Sequence, residues 1–154
     1  METGKMFRKV DQKPVDVVKH TLEVLKQYPH ADIHIGTDSQ NKRKWSKFSI
    51  VIAYKLGTRG VHCIVHNYRL PKMKDKYTRL WREAEDTVNV AQWLNAKVPA
   101  VKIELDFDYN ADAKYFSNKL VQAAVGWGES LGYKCNHKPG NVIATKYADA
   151  QCRS

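Results

Sequence analysis

Hydrophobic positions along the chain recur first with helical spacing and then with strand alternation, and this change predicts the first elements. Residues 14–28 place apolar side chains at Val18, Leu22 and Leu25 behind a proline, which predicts a leading helix. Residues 31–40 alternate as a short strand that we expect to break at Gly36. The β-rich runs 46–57 and 61–70 meet at the turn GTRG and complete a three-stranded meander.

The remaining residues alternate helices with strands. Residues 78–97 carry one apolar face and predict a long helix, and the short strand 101–108 follows. A helix over 111–132, a strand over 133–140 and a last helix over 141–154 complete the chain. After the leading helix the order is βββαβαβα, which predicts an α/β fold with a five-stranded mixed sheet and helices on both faces.

The predicted meander and helical crossover also fix the expected arrangement of strands. The strand with Ile33 and Ile35 should lie in the middle of the sheet, paired with the strand that contains residues 48–54. It should run parallel to the strand at residues 101–105, because a helical crossover returns a parallel strand. We expect residues 1–154 to form a single domain, in which residues 1–12 are a flexible tail.

Composition places the chain among ordinary globular proteins. It has 154 residues, of which 43% are hydrophobic and 27% charged. No run reaches the ~18 apolar residues of a membrane span, and the first residues lack the apolar core of a signal peptide. The three cysteines form no C-x-x-C pair, which argues against a disulfide framework or a zinc site. We therefore expect free thiols, a cytoplasmic location and no membrane partner.

Net charge suggests the kind of partner. Twenty-six lysines and arginines against sixteen acids leave a formal charge of +10, and a pI near 9.5 is typical of a nucleic-acid-binding domain. The cations concentrate in residues 69–82 and in residues 42–47, where Trp45 lies among them. Such interleaving suits a phosphate backbone with bases that stack nearby. The candidate phosphate contacts are Lys42, Arg43, Lys44, Lys72, Lys74 and Lys76.

Two acidic residues stand at the predicted ends of neighbouring strands. Asp38 follows IHIGT, and Asp106 lies inside the apolar run IELDFD. The ends of adjacent strands meet at one edge of an open α/β sheet, where such sheets bind ligands. Carboxylate oxygens suit Mg²⁺ or Mn²⁺. An aspartate after a strand is also a common turn or cap residue, and that interpretation of Asp38 stays open.

The order of elements and several motifs together resemble a known family. IGTDSQ, REAEDTVNVA, ELDF, NKLVQAAVGWGESLGY, HKP and YADAQC occur in this order. They are similar to the ribonuclease H-like superfamily and, more closely, to its YkuK-like bacterial branch. The resemblance implies that four acids, Asp38, Glu83, Asp106 and Asp149, bind two Mg²⁺ or Mn²⁺ ions across a scissile phosphate, with Asp38 as the shared ligand.

Several neighbouring residues remain as accessory candidates. Helical periodicity does not choose between Glu83 and Glu85, and only the resemblance favours Glu83. Asp108 lies on the same predicted strand face as Asp106. The resemblance also implies a basic residue before the last helix, for which His137 and Lys138 are the candidates.

Two histidines of the third predicted strand are weaker candidates. His62 and His66 share a strand face, but strand spacing separates them by about 13 Å, too far for one metal ion. We therefore expect them to be ordinary strand residues.

These observations favour a metal-dependent nuclease that hydrolyses phosphodiester bonds. The substrate classes compatible with the resemblance are an RNA–DNA hybrid, structured RNA and branched DNA. One alternative is a ribonuclease H-like module that binds nucleic acid without cleavage, and another is an interaction protein whose basic face aids solubility. Four mutually repelling acids favour the enzyme, since a binding module has no need of them.

Overall fold

Four α-helices, one short 3₁₀ helix (Gly57–Arg59) and five strands lie along the residues that the computed structural model describes, which are 5–9, 11–107, 116–137 and 143–153. The predicted order βββαβαβα after a leading helix is confirmed. None of the helices in these residues is long and apolar enough to cross a membrane. In chain order the elements are α1 (Val17–Gln27), β1 (Asp32–Asn41), β2 (Trp45–Lys55), β3 (Val61–Pro71), α2 (Lys76–Lys97), β4 (Ile103–Phe107), α3 (Phe116–Ser130), β5 (Lys134–His137) and α4 (Ile143–Arg153).

The five strands form one sheet in the order β3-β2-β1-β4-β5. β1 is central, antiparallel to β2 and parallel to β4, as predicted. β5 is also parallel to β4, so β1, β4 and β5 all end at one edge, which we call the carboxyl edge. Pairing between β1 and β4 stops at Gly36 and Asp106, and β1 continues along β2 to Asn41.

The predicted break at Gly36 is wrong, because β1 passes through this glycine without interruption. A Cβ at position 36 would lie 2.7 Å from Cγ2 of Thr145 and 3.1 Å from the backbone oxygen of Asp106. Glycine is therefore needed at this position because α4 crosses the strand closely, and not because the chain turns.

Side-chain alternation gives the sheet two different faces. Ile35, Ile50 and Leu105 contribute to the main core beneath α1, α2 and α3, and we call this side the α2 face. Val51 and the other residues of the opposite parity meet the small residues of α4, such as Ala148. We call that side the α4 face. Helices thus cover both faces, as predicted.

Residues 5–9, part of the segment that we expected to be a flexible tail, pack on the sheet. Phe7 is fully buried in the main core. Arg8 exchanges two backbone hydrogen bonds with Val65, at 2.8 and 2.9 Å, and so covers the outer edge of β3. The leading helix begins at Val17, later than predicted, because Asp16 caps it by accepting a hydrogen bond from the backbone nitrogen of Lys19.

Candidate active site and nucleic-acid surface

Asp38 lies beneath the last turn of α4. Its neighbours in β1 both point to the α2 face, where Thr37 accepts a hydrogen bond from Thr87 and Ser39 donates one to α2. Strand alternation therefore directs Asp38 to the α4 face. The thiol of Cys152 donates to the backbone oxygen of Asp38 at 3.2 Å. This thiol contact holds α4 against this part of β1.

Asp106 also faces α4, but protein groups already surround its fully buried carboxylate. It accepts hydrogen bonds from Nδ2 of Asn136 at 2.9 Å and from the backbone nitrogen of Ala144 at 2.8 Å. Nδ1 of His34 lies 3.0 Å from Oδ1. Since Ala144 is the second residue of α4, the carboxylate satisfies a free amide at the helix start and stabilises the helix dipole. Asp106 thus joins α4 to the sheet.

His34 is a residue of this region that the sequence analysis missed. Burial lowers its pKa, but the hydrogen bond and charge of Asp106, with the charges of Glu104 and Asp32, outweigh burial and raise it. Nε2 of His34 lies 3.8 Å from Glu104. The alternation of Ile33 and Ile35 indicates only the apolar face of β1. His34 lies an even number of residues from Asp38 and therefore shares the other face of the strand with it. That shared parity was the available signal.

Glu83 approaches β1 from the opposite face. Its buried carboxylate accepts a hydrogen bond of 2.5 Å from the hydroxyl of Ser39. Nη1 of Arg79 donates to the same hydroxyl at 2.7 Å and to the backbone oxygen of Ser39 at 3.1 Å. The charge of Glu85 instead acts on Arg82 and Asp86. Between the two candidates, the structure places Glu83 beside β1.

The pKa of the Cys152 thiol is affected by carboxylates from both faces of the sheet. Burial, followed by the charges of Asp38 and Glu83, raises the pKa of the Cys152 thiol to about 11, against a hydrogen bond to Ser49 and the charge of Lys47. Both carboxylates therefore act on the same buried atom. Asp38 and Glu83 lie near the same part of β1 even though they approach it from opposite faces.

The remaining candidates lie around this edge or outside the described residues. Asp149 is partly exposed on α4, four residues after Thr145, which packs on Gly36, and three before Cys152, which contacts Asp38. Because Asp149 lies between these two residues on the helix, it is placed along the same part of β1 as they are. His137 is exposed at the end of β5. Asp108 and Lys138 lie outside the described residues.

The four acids suit Mg²⁺ or Mn²⁺ in their chemistry but not in their arrangement. Within residues 5–9, 11–107, 116–137 and 143–153, no three histidine, cysteine or acidic side chains are placed to hold a metal ion. Asp106 gives its oxygens to three protein groups, and Glu83 lies on the other face of the sheet. The described residues thus provide no preformed metal site, and the two-ion ligand set stays a prediction.

The two cationic clusters of the sequence lie side by side. The backbone nitrogen of Lys72 donates to the oxygen of Lys44 at 3.2 Å, and Trp45 pairs with Pro71. We call residues 42–45 and 72–77 the basic surface. Lys42 is half-buried there, and the other five cations that we predicted to contact phosphate are exposed. Two aromatic side chains of this surface are also exposed, Trp45 at 44% and Tyr77 at 42%.

The basic surface adjoins the acids at the end of β1. The side chain of Asn41, the last residue of β1, donates to the backbone oxygen of Met73 at 3.2 Å. Arg79 extends from the first turns of α2 to Ser39, which bonds to Glu83. Asn41 and Arg79 therefore connect the basic surface to the part of β1 that contains Asp38 and Ser39.

One cation of the same run is engaged within the protein. Nε of Arg82 donates to the hydroxyl of Tyr68 at 3.2 Å and lies 3.5 Å from Asp86. Asp86 is a buried acid that the sequence analysis missed, and burial raises its pKa. It occupies the α2 face and bonds to Tyr68. Arg82 and Asp86 therefore stabilise the packing of α2 on β3.

Comparison with known proteins agrees with this architecture. The family described as Ribonuclease H-like matches residues 16–153, nearly the whole chain. No curated protein and no solved structure matches the chain significantly. The strand order and the helices on both faces are consistent with that fold. The chain therefore belongs to the ribonuclease H-like family.

Proposed function

We propose that this protein binds nucleic acid on its basic surface and hydrolyses a phosphodiester bond beside it, at the acids of the carboxyl edge. The observation that carries the proposal is the continuity of the two regions through Ser39. Ser39 accepts a hydrogen bond from Arg79, which belongs to the cationic run, and donates one to the candidate acid Glu83. The ribonuclease H-like fold supports an activity of this class.

Binding rests on charge and on exposed aromatic rings. Exposed lysines neutralise phosphates and release counterions, which makes binding sensitive to salt and indifferent to sequence. Trp45 lies beside Arg43 and Lys44, and an exposed ring in such a place stacks on an unpaired base. RNA–DNA hybrid, structured RNA and branched DNA are the substrates to compare, because each presents a phosphate backbone to the lysines.

The chemistry that we propose uses oxygen ligands and a hard divalent cation. Mg²⁺ and Mn²⁺ are the ions of choice because they bind carboxylates together with substrate phosphate. The two-ion mechanism and the closer likeness to the YkuK-like branch remain predictions from the sequence.

A second function, nucleic-acid binding without cleavage, is favoured by one observation. The carboxylate of Asp106 is fully occupied by His34, Asn136 and Ala144, so this acid already has a structural role. A protein that only binds would use the basic surface and leave the acids to hold α4 and β1 together.

The deciding experiment measures cleavage and binding on the same substrates. Labelled hybrid, duplex, junction and single-stranded molecules are incubated with Mg²⁺, with Mn²⁺ and with EDTA. We expect metal-dependent products from the wild type, and none from Asp38→Asn, which keeps its binding. Asp32→Asn is the matched control, because this exposed aspartate begins the same strand at its other end and should leave cleavage unchanged.

Each outcome selects one interpretation. Binding without products in either metal would support the binding module and reject the nuclease. Products that persist in Asp38→Asn would remove the acid edge from the proposal. An absence of binding to all four substrates would reject both functions.

A further inference from the structure

Two arginines of α2 differ in the partners of their side chains. Arg82 is paired within the protein, since its Nε donates to the hydroxyl of Tyr68 and lies 3.5 Å from Asp86. Arg79 lies nearly one turn earlier in the same helix. No acid among the residues that the structure describes lies within ion-pair distance of it. These residues therefore give Arg79 no direct ion pair.

The guanidinium of Arg79 is held in one orientation, yet one of its donors is unused. Nη1 donates to the hydroxyl of Ser39 at 2.7 Å and to the backbone oxygen of Ser39 at 3.1 Å. Within the described part of the chain, Nε of Arg79 is the only buried side-chain nitrogen or oxygen without a hydrogen-bond partner. Buried donors are nearly always paired, because an unpaired donor has given up its water for nothing. This unpaired Nε therefore calls for a ligand that brings the missing acceptor.

A phosphate oxygen is the acceptor that suits this place. Arginine binds phosphate through two parallel N–H groups along one edge of the guanidinium. Nη1 of Arg79 is already engaged with Ser39, which leaves the edge that contains Nε. Lys76 of the basic surface lies three residues before Arg79 in α2 and is exposed. A nucleic acid held by such lysines brings phosphates to this part of the helix.

We propose that Arg79 binds the substrate phosphate nearest to the candidate acids, with Nη1 kept on Ser39 and Nε donating to a phosphate oxygen. The inference rests on the proposed function, because it requires a nucleic acid on the basic surface. Ser39 accepts from Arg79 and donates to Glu83, so this phosphate would be one side chain away from that acid. Nε is closed to solvent in the free protein, so the contact requires a local shift when the substrate binds.

Such an arginine gives the complex a property that the exposed lysines do not. Lys74 and Lys76 carry their charges on long, exposed side chains, which attract phosphates without fixing their positions. Arg79 is half-buried and is anchored to β1 through Ser39. Phosphate contacts from a fixed group set the register of the bound strand. Arg79 therefore determines which phosphodiester bond lies beside Glu83.

The test measures the salt dependence of binding for the tightest-bound of the four labelled nucleic acids. Arg79→Gln should bind at least about tenfold more weakly than the wild type, and its salt slope should fall by about one phosphate contact. Arg79→Lys keeps the charge but lacks the Nε edge, so it should not restore the affinity. Arg82→Gln is the matched control in the same helix. It should keep wild-type affinity, because Arg82 is already paired with Asp86.

Substrates that carry one uncharged methylphosphonate each locate the contact on the strand. In the wild type, one position should weaken binding more than its neighbours. In Arg79→Gln, the same position should have no further effect, because the contact is already lost. Arg82→Gln should keep the wild-type profile. A purely structural role of Arg79 would leave the profiles of the wild type and Arg79→Gln equal.

Nitrogen-15 spectra of the arginine side chains make the result independent of variant folding. In the wild type, bound nucleic acid should shift the Nε resonance of Arg79 and leave that of Arg82 unchanged. An unchanged Arg79 resonance at saturation, equal methylphosphonate profiles, or full affinity in Arg79→Lys would overturn this contact and leave the proposed function in place. A wild type that binds none of the four nucleic acids would instead reject the proposed function, and this contact with it.

Discussion

Replacing Asp106 with asparagine separates the structural role of this residue from a role in metal binding. Asparagine has nearly the same shape, but it carries no charge and exchanges one acceptor oxygen for a donor. The wild-type carboxylate is fully buried and accepts from Asn136 and Ala144, with His34 at its other side. An amide at this place presents N–H groups to at least one buried donor. We therefore expect the variant to be less stable.

The magnitude follows from what the buried carboxylate loses. A hydrogen bond to a charged group contributes about 1.5–3 kcal/mol, and a buried donor left without a partner costs about 1–3 kcal/mol. The interaction with the start of α4 adds about 0.3–1 kcal/mol. The desolvation that the neutral amide avoids offsets part of this sum. A net loss of about 3 kcal/mol results, which lowers Tm by about 6–12 °C for a domain of this size.

Urea unfolding and thermal melts at neutral pH measure this loss without added metal. Asp32→Asn, exposed at the start of β1, removes the same charge and should change stability by less than about 0.5 kcal/mol. Asp38→Asn should leave the fold intact or slightly more stable, because it removes one of several negative charges that repel one another. If Asp106→Asn were as stable as the wild type, Asp106 would not stabilise the start of α4. A role that needs only its negative charge would then be favoured.

Three further substitutions test other parts of the structure. Alanine at the three lysines within residues 72–76 should weaken binding of unrelated nucleic acids alike and reduce the salt slope; an unchanged slope would exclude phosphate contacts there. Gly36→Ala should cost about 1–3 kcal/mol because its Cβ meets α4 and backbone atoms, whereas Gly126→Ala, with open space in α3, should gain up to about 1 kcal/mol. Because burial lowers the pKa of His62, the folded protein is fully stable above pH 6.5 and loses stability as the pH falls and this ring must take up a proton. Urea unfolding of His62→Gln should therefore show a smaller loss of stability at acid pH than the wild type. Equal pH profiles of the two proteins would contradict this.

The sheet could be predicted because its signals are local. The change from helical spacing to alternation, and the single crossover between the meander and β4, placed β1 in the centre. The prediction failed where distant residues decide the local conformation. Strand propensity alone predicted that the strand would end at Gly36. The close approach of α4, more than 100 residues later in the chain, instead requires glycine inside the strand. Phe7 likewise belongs to the core through tertiary packing that no local pattern shows.

The candidate site was less predictable because the role of each acid depends on the residue to which it is hydrogen-bonded. The sequence identified Asp106 but not His34, which lies 72 residues away and shares its buried hydrogen bond. It identified Glu83 as a candidate but not its position on the face opposite Asp38. Each acid has the residue type that a metal ligand needs. Residue type alone does not distinguish a ligand from a carboxylate that caps a helix or accepts from a serine.

The position of α4 decides which of these roles the acids of the α4 face can fill. The absence of a side chain at Gly36 lets Thr145 approach the strand, and Ala148 continues the close packing along it. This approach directs the start of α4 at Asp106, whose carboxylate satisfies the free amide of Ala144. The same close contact sets Asp149 along β1. A change that lifts α4 from the sheet would therefore release Asp106 and displace Asp149 together, so stability and any activity at this edge must depend on the same few small residues.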